Sequence, residues 1–308
     1  MNSPTINTIS RKQAWVESLR PKTLPLGVIA IVTGSALAYL TDNFKWPVAL
    51  LALITAGLLQ ILSNLANDYG DAVKGSDTAE RIGPLRGMQK GVISQADMKK
   101  ALKLNITAAC ISGLLLIIVA CEKPEDAIGF VALGLIAIVA AITYTVGKKP
   151  YGYLGLGDIS VLIFFGWLSV IGTYYLQANS FNIITILPAT ACGLLSVAVL
   201  NINNMRDIEN DIKAGKNTLA VRLGPQGARI YHAIIIVLAI LCLVFFNLIY
   251  LHGWSGWLFL LAIPMLMNHL RRVLSDRTPE GMRPLLENMV KAALITNILF
   301  SIGVVISK

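Results

Sequence analysis

Apolar residues in this chain come in long unbroken runs, without the alternation of a half-buried strand. Nine runs stand out, at about 24–40, 47–64, 104–121, 127–146, 159–178, 183–204, 230–251, 254–270 and 285–306. Each approaches or exceeds the roughly 20 residues that a helix needs to cross a hydrocarbon core. Continuous runs predict membrane helices; barrel strands would show alternating apolar positions. The pattern therefore predicts an all-α polytopic membrane protein with nine transmembrane helices. The last run is the least regular, because Lys291 falls in its first turns. Residues 1–23 are expected to form a separate segment lying along the membrane surface, with Trp15 and Leu19 dipping in. Residues 24–308 are expected to form a single membrane domain.

Composition sharpens this picture. The chain is 55% hydrophobic and only 14% charged, against about a quarter charged in soluble domains. A net charge of +9 would suggest nucleic acid for a soluble protein. Here its distribution excludes that reading. With the N-terminus in the cytoplasm and sides alternating after each span, all of the 26 Lys and Arg residues except Lys45, Lys123 and Lys308 fall in inner segments. That is the positive-inside bias. It supports an odd number of spans, a cytoplasmic N-terminus and membrane lipids as the surroundings. The N-terminal stretch is polar and lacks a cleavage-type end, so it does not read as a signal peptide. Cys110, Cys121, Cys192 and Cys242 show no CxxC or Cys/His spacing, which indicates neither a disulfide framework nor a zinc site. His232, His252 and His269 are expected to lie apart, in structural or interfacial positions.

The polar residues that end the apolar runs carry the chemistry. In "SNLANDYGDAVKGSD", Asn64, Asp68 and Asp71 stand at i, i+4 and i+7, one face of a helix. In "NINNMRDIENDIKAGKNT", Asn203, Asp207 and Asp211 stand at i, i+4 and i+8. Asp71 is followed by Gly75 and Thr78 at the spacing with which Asp211 is followed by Gly215 and Thr218. The two clusters end spans 2 and 6 and read as an internal duplication, a common device in helical membrane folds. Two such helix tips are expected to meet at one central cavity. Carboxylates are disfavoured at helix C-termini by the macrodipole and repel one another unless cations join them. Mg²⁺, typically held by one or two carboxylates plus substrate phosphates, fits that need, and Asn adds a neutral oxygen ligand. The candidate metal ligands are Asn64, Asp68, Asp71, Asp207 and Asp211. Nearby bases, Lys74, Arg81 and Arg86, are candidates for the diphosphate, since the Arg fork matches phosphate geometry. Span 4 ends in "YTVGKKPYGYLGLGD", where Tyr144 and Lys148 are four apart and are expected to share a helical face.

A metal–diphosphate site in an apolar cavity suits a molecule with a phosphorylated head and a hydrocarbon tail, such as a polyprenyl diphosphate. Loss of diphosphate leaves an allylic cation that a Tyr face can shield and that apolar walls keep from water. Ion-coupled transport, the rival reading for intramembrane acids, would place them nearer the bilayer midplane.

"NLANDYGD", "YTVGK" and "NNMRDIEND" resemble the UbiA-type intramembrane aromatic prenyltransferases. "SLRPKTLPL", "NDYGDAVKGSD", "IGPLRGMQKG", "TYTVGKKPYGYLGLGDISV" and "LNINNMRDIENDIKAGKNTLAVRLG" are similar to the menaquinone-pathway branch of that family, from about residue 14 onward. The resemblance implies Mg²⁺ and transfer of a polyprenyl chain to 1,4-dihydroxy-2-naphthoate, with loss of CO₂ and diphosphate, at the inner face of a bacterial cytoplasmic membrane. A related transferase using 4-hydroxybenzoate is the alternative. The resemblance also implies catalytic roles for Tyr144 and Lys148. The spacing from Asp68 to Asp71 is shorter than in much of the family, which leaves open whether Asp71 or Asp77 approaches the metal. For the acceptor's carboxylate, Arg20, Lys22 and Lys149 are candidates.

Overall fold

The computed structural model of the protein describes residues 10–75, 86–276 and 278–308. Within them the regular structure is all helical, with no strand. A short surface helix, α1 (Arg11–Leu19), is capped by Ser10, whose Oγ accepts from the Gln13 amide at 3.2 Å. The first apolar run forms α2 (Pro25–Leu40), at 16 residues the shortest of the apolar spans. The next runs form α3 (Trp46–Lys74), α4 (Gln95–Ala120) and α5 (Pro124–Thr143). The fifth run is one span in three parts: α6 (Gly157–Val161), a π-helical stretch at Leu162–Leu168, and α7 (Ser169–Ala178). Then come α8 (Ile186–Arg206), the short α9 (Ile208–Lys213) and α10 (Leu219–Tyr250). A 3₁₀ stretch, Trp254–Ala262, leads into α11 (Ile263–Ser275), and α12 (Pro279–Ile306) closes the bundle. Every one of the nine apolar runs lies in a helix, and eight of these spans are long and apolar enough to cross a membrane.

The core lies around α8, which packs against α2, α10 and α12. Its sequence explains that position. Ala189, Ala191, Gly193, Ser196 and Ala198 put small side chains on its surface, and small residues let membrane helices approach closely without a hydrophobic drive. A Cβ on Gly166 of the π-helical stretch would lie 2.6 Å from the Ala189 carbonyl oxygen. Buried Phe246, Phe259 and Phe300 fill the space between α10, the 3₁₀ stretch and α12, with ring centroids 5.3–6.4 Å apart.

The opposite wall is looser. Helix α5 packs on α3 and α4 but meets the α6–α7 span mainly through side chains. At the far end of the bundle the Tyr175 hydroxyl donates to Asp126 at 2.7 Å, and the Phe130 and Tyr175 rings lie 5.6 Å apart. At the near end, where α3 and α8 finish, Tyr151 donates to the Ala140 carbonyl at 2.9 Å. Between these two ties runs a seam.

His232 and His269 do not lie apart as the sequence suggested. Their Nε2 atoms are 3.0 Å from each other in the interior. The reason is geometric: α10 starts and α11 finishes at the same end of the bundle, so residues near those ends share a depth.

Candidate functional site

A cavity of about 610 Å³ opens between α3, α4, α5, the α6–α7 span and α8. Its body is apolar, walled by Leu116, Phe130, Ile138, Phe164, Phe165 and Leu168 among others. The π-helical stretch supplies the last three of these. Extra-wide turns of this kind are frequent at functional sites, because they rotate side chains out of the regular register. The near end is polar, with Asn64, Asn67, Asp71, Asn203, Asp207 and Asp211.

The two acidic segments converge there. The Lys216 ammonium, beside the second cluster, is 3.0 Å from Asp71 Oδ1 of the first. Both segments end alike. Gly75 terminates α3 at φ 66° and Gly215 follows α9 at φ 71°, left-handed conformations in which a side chain would be strained. The repeat visible in the sequence thus shares its left-handed glycine, whereas the helix before it is continuous through Asp68 and Asp71 in the first segment and broken at Asp207 in the second. Thr78, its last matching position, lies outside them, as do Arg81 and Asp77.

Asp68, Asp71 and Asp207 are each paired with cations. Asp68 Oδ1 accepts from Arg20 at 2.8 Å and lies 3.3 Å from Arg86. Its other oxygen, Oδ2, is buried and has no hydrogen-bond partner among the described residues. Asp68 does not itself line the cavity. It stands behind Arg20 and Arg86, which do. Asp71 Oδ1 accepts from the Tyr153 hydroxyl at 2.8 Å as well as from Lys216. Arg206 grips Asp207 with two bonds, of 2.8 and 2.6 Å, and also donates to Asn203 at 2.7 Å. Asn64 donates to the Leu19 carbonyl at 3.0 Å, tying α3 to the segment that carries Arg20.

Tyr144 lines the cavity at the end of α5, with its ring edge-on to Tyr151 at 5.3 Å. The shared helical face expected of Tyr144 and Lys148 does not form. Helix α5 stops at Thr143, Gly147 turns the chain at φ 115°, and Lys148 stands exposed, away from the cavity lining. Sequence spacing assumed one more helical turn than the glycine permits. Lys149 is also exposed.

The basic residue at the centre is Lys216. It and Lys74 lie 4.7 and 4.4 Å from the centroid of the Tyr153 ring. Tyr153 sits in a short 3₁₀ turn, Tyr151–Leu154, docked on the loop before α10. The Asn217 amide donates to the Tyr153 carbonyl at 2.9 Å, and Arg222 donates to the Leu154 carbonyl at 2.6 Å. In sequence, Lys216 and Tyr153 look like an ordinary loop lysine and an interfacial tyrosine. Only the duplication, which puts Lys216 one residue past the repeated glycine, offered a signal. Tyr153→Phe keeps the ring but loses a bond to a carboxylate. The expected cost is about 1.5 kcal/mol of stability, read by equilibrium unfolding in mild detergent.

The residues present suit a hard divalent cation. The polar end of the cavity offers carboxylate oxygens from Asp71, Asp207 and Asp211 and amide oxygens from Asn64, Asn67 and Asn203. Among the described residues no three acidic, His or Cys side chains converge as they would on an all-protein metal cage. That matches Mg²⁺, which keeps waters and takes substrate phosphates as ligands.

The UbiA prenyltransferase family model matches residues 27–294. The chain is 62% identical over 304 residues to the 1,4-dihydroxy-2-naphthoate octaprenyltransferase of Escherichia coli (strain K12), covering 99% of each chain. It is 55% identical to the enzyme of the same description from Haemophilus influenzae, covering 95% of this chain and 96% of that one. Among solved structures, a UbiA homologue from Archaeoglobus fulgidus bound to GPP and Mg²⁺ superimposes with a TM-score of 0.63 at 14% identity. That match covers 95% of this chain and 99% of the other.

Proposed function

The chain belongs to the UbiA prenyltransferase family, and from that premise we propose that it transfers a polyprenyl chain from polyprenyl diphosphate to 1,4-dihydroxy-2-naphthoate. The products are demethylmenaquinol, CO₂ and diphosphate, which places the protein in menaquinone biosynthesis. The observation that carries this reading is near-full-length identity to bacterial enzymes of that description, in a chain whose two acidic segments meet at the polar end of a greasy cavity. The proposed location is the bacterial cytoplasmic membrane, with the polar end facing the cytoplasm, as the distribution of Lys and Arg supports.

The proposed chemistry follows from what surrounds each end of the cavity. The bond from the first prenyl carbon to diphosphate oxygen breaks, and its electrons leave with the diphosphate. Lys216, Arg20 and Arg86 are the cations of the cavity lining that would neutralise that charge, and fixed positive groups in a dry site act strongly. Mg²⁺, taken up by one or two of Asp71, Asp207 and Asp211 with water and the diphosphate as its other ligands, would add positive charge to the leaving group. Asp68, behind the two arginines, would hold them in place. The Tyr144 ring faces the cavity where the allylic cation forms, an attraction of about 0.5–2 kcal/mol. The aromatic carbon carrying the carboxylate then bonds to the prenyl carbon. The bond to the carboxylate breaks, CO₂ leaves, and the electron pair restores the aromatic ring. No proton has to be removed from carbon. Apolar walls keep water from the cation.

The deciding experiment supplies purified protein and Mg²⁺ with a labelled prenyl diphosphate and either 1,4-dihydroxy-2-naphthoate or 4-hydroxybenzoate. Prenylation with CO₂ release is expected for the first acceptor alone, and chelation of Mg²⁺ is expected to stop it. Prenylation of 4-hydroxybenzoate in its place would refute the assignment.

A further inference from the structure

Lys216 occupies an unusual place between the acidic segments. Its backbone belongs to the second. Its amide donates to the Asp211 carbonyl at 2.7 Å, and the Gly215 amide donates to Ile212 at 3.1 Å, the closing bonds of a left-handed helix terminus. Its ammonium belongs to the first, 3.0 Å from Asp71 Oδ1. Both side chains line the cavity and both are largely buried, at 15% and 6% exposure. That carboxylate oxygen already accepts from Tyr153.

The duplication makes this lysine asymmetric. Aligning the sequence on Gly75 and Gly215 gives Ser76 the register position of Lys216, and Ala214 that of Lys74. Both lysines lie against the one ring of Tyr153, so the cationic pair serves the Asp71 side.

We propose that Lys216 couples metal binding to diphosphate binding: a divalent cation taking Asp71 displaces the ammonium, which then bonds the diphosphate. The inference rests on the functional reading above and deepens it. Two positive centres competing for one largely buried carboxylate repel each other at short range. The lysine stem is flexible and its head is a compact point charge with three donors. Once moved off Asp71, it remains anchored at Gly215 beside the second cluster and within the cavity. A metal arriving alone must break an ion pair to bind. A metal arriving with diphosphate gives the displaced ammonium a new anionic partner. Metal and diphosphate therefore favour one another, with the reciprocity that linkage demands.

The test measures binding by the full-length protein in detergent, with no acceptor present. Free Mn²⁺ is followed by electron paramagnetic resonance, with and without inorganic diphosphate. For Lys216→Met, Mn²⁺ alone is expected to bind about fivefold or more tightly than to the parent, while the enhancement of Mn²⁺ affinity by diphosphate shrinks by at least that factor. Lys216→Arg is expected to keep most of the enhancement. In an Asp71→Asn background the Lys216→Met effect on Mn²⁺ alone is expected to vanish, as a shared contact requires. Unchanged or weaker Mn²⁺ binding by Lys216→Met, or an undiminished diphosphate enhancement, would overturn the proposal while leaving the prenyl-transfer reading intact. Failure of the parent protein to bind Mn²⁺ with diphosphate at all would overturn both.

Discussion

Asp207→Asn is expected to lower the rate of prenyl transfer about 10²- to 10³-fold, the usual loss when a preorganised charge-stabilising group is removed from a dry site. Asp207 lines the polar end of the cavity and comes from the second acidic segment. An amide there keeps an oxygen but loses the charge that would hold a divalent cation. The substitution also touches the fold. The Arg206 side chain is 4% exposed and bonded twice to this carboxylate, and breaking a buried pair costs about 3–5 kcal/mol. Asp211→Asn leaves the Arg206–Asp207 pair in place and is the companion variant. Steady-state assay of both variants, with folding followed by gel filtration and thermal unfolding, gives the result. Near-parental rates in both would remove the metal-site argument.

Gly70→Val is expected to abolish activity by a different route. A Cβ on Gly70 would lie 2.8 Å from the carbonyl carbon, carbonyl oxygen and Oγ1 of Thr145. Backbone atoms cannot rotate aside, so α3 and the turn after α5 must part. The Thr145 hydroxyl, which donates to the Ala66 carbonyl at 3.1 Å, is lost from the same contact. Asp71 and Tyr144 each stand next to this crossing, so their separation changes with it. Overpacking of this kind costs about 1–3 kcal/mol, and misplacement of reacting groups costs more in rate than in stability. Gly57→Ala is the control. Nothing lies within 4 Å of its Cβ position, so a gain of about 1 kcal/mol in helix propensity is expected, with activity retained. Activity in Gly70→Val near that of the control would show that the crossing does not position the site.

Much of this was legible from residue patterns, for stated reasons. A membrane helix must satisfy its backbone internally, so an apolar run marks a helix, and the runs give eight spans long enough to cross a membrane plus the shorter α2. The duplication was legible because glycine at a left-handed position leaves a fixed spacing to the acids before it, and Gly75 and Gly215 keep that spacing. The convergence of Asp71 with the second segment followed from that repeat. What spacing does not carry is where a helix stops. Tyr144 and Lys148 read as neighbours on one face until Gly147 turns the chain. Nor does it carry pairing across the bundle. Arg20 and Arg86 reach Asp68 from two other segments, and Tyr153 reaches Asp71 from 82 residues away. His232 and His269 face each other because their helices run antiparallel, an outcome of topology.

The seam between α5 and the α6–α7 span has a bearing on how the enzyme treats hydrocarbon length. A space of about 610 Å³ falls in the range that encloses a drug-sized molecule, and the diphosphate and aromatic reactants claim part of it. The remainder of a long isoprenoid would lie among the surrounding acyl chains, and the sparse packing of α5 on the α6–α7 span is the weakest part of the wall between them. Lipid tails are as apolar as leucine, so moving distal units from bilayer to protein yields almost no free energy. Affinity is then expected to saturate once the first few units are seated, so that KM measured over a series of prenyl diphosphates levels off with length.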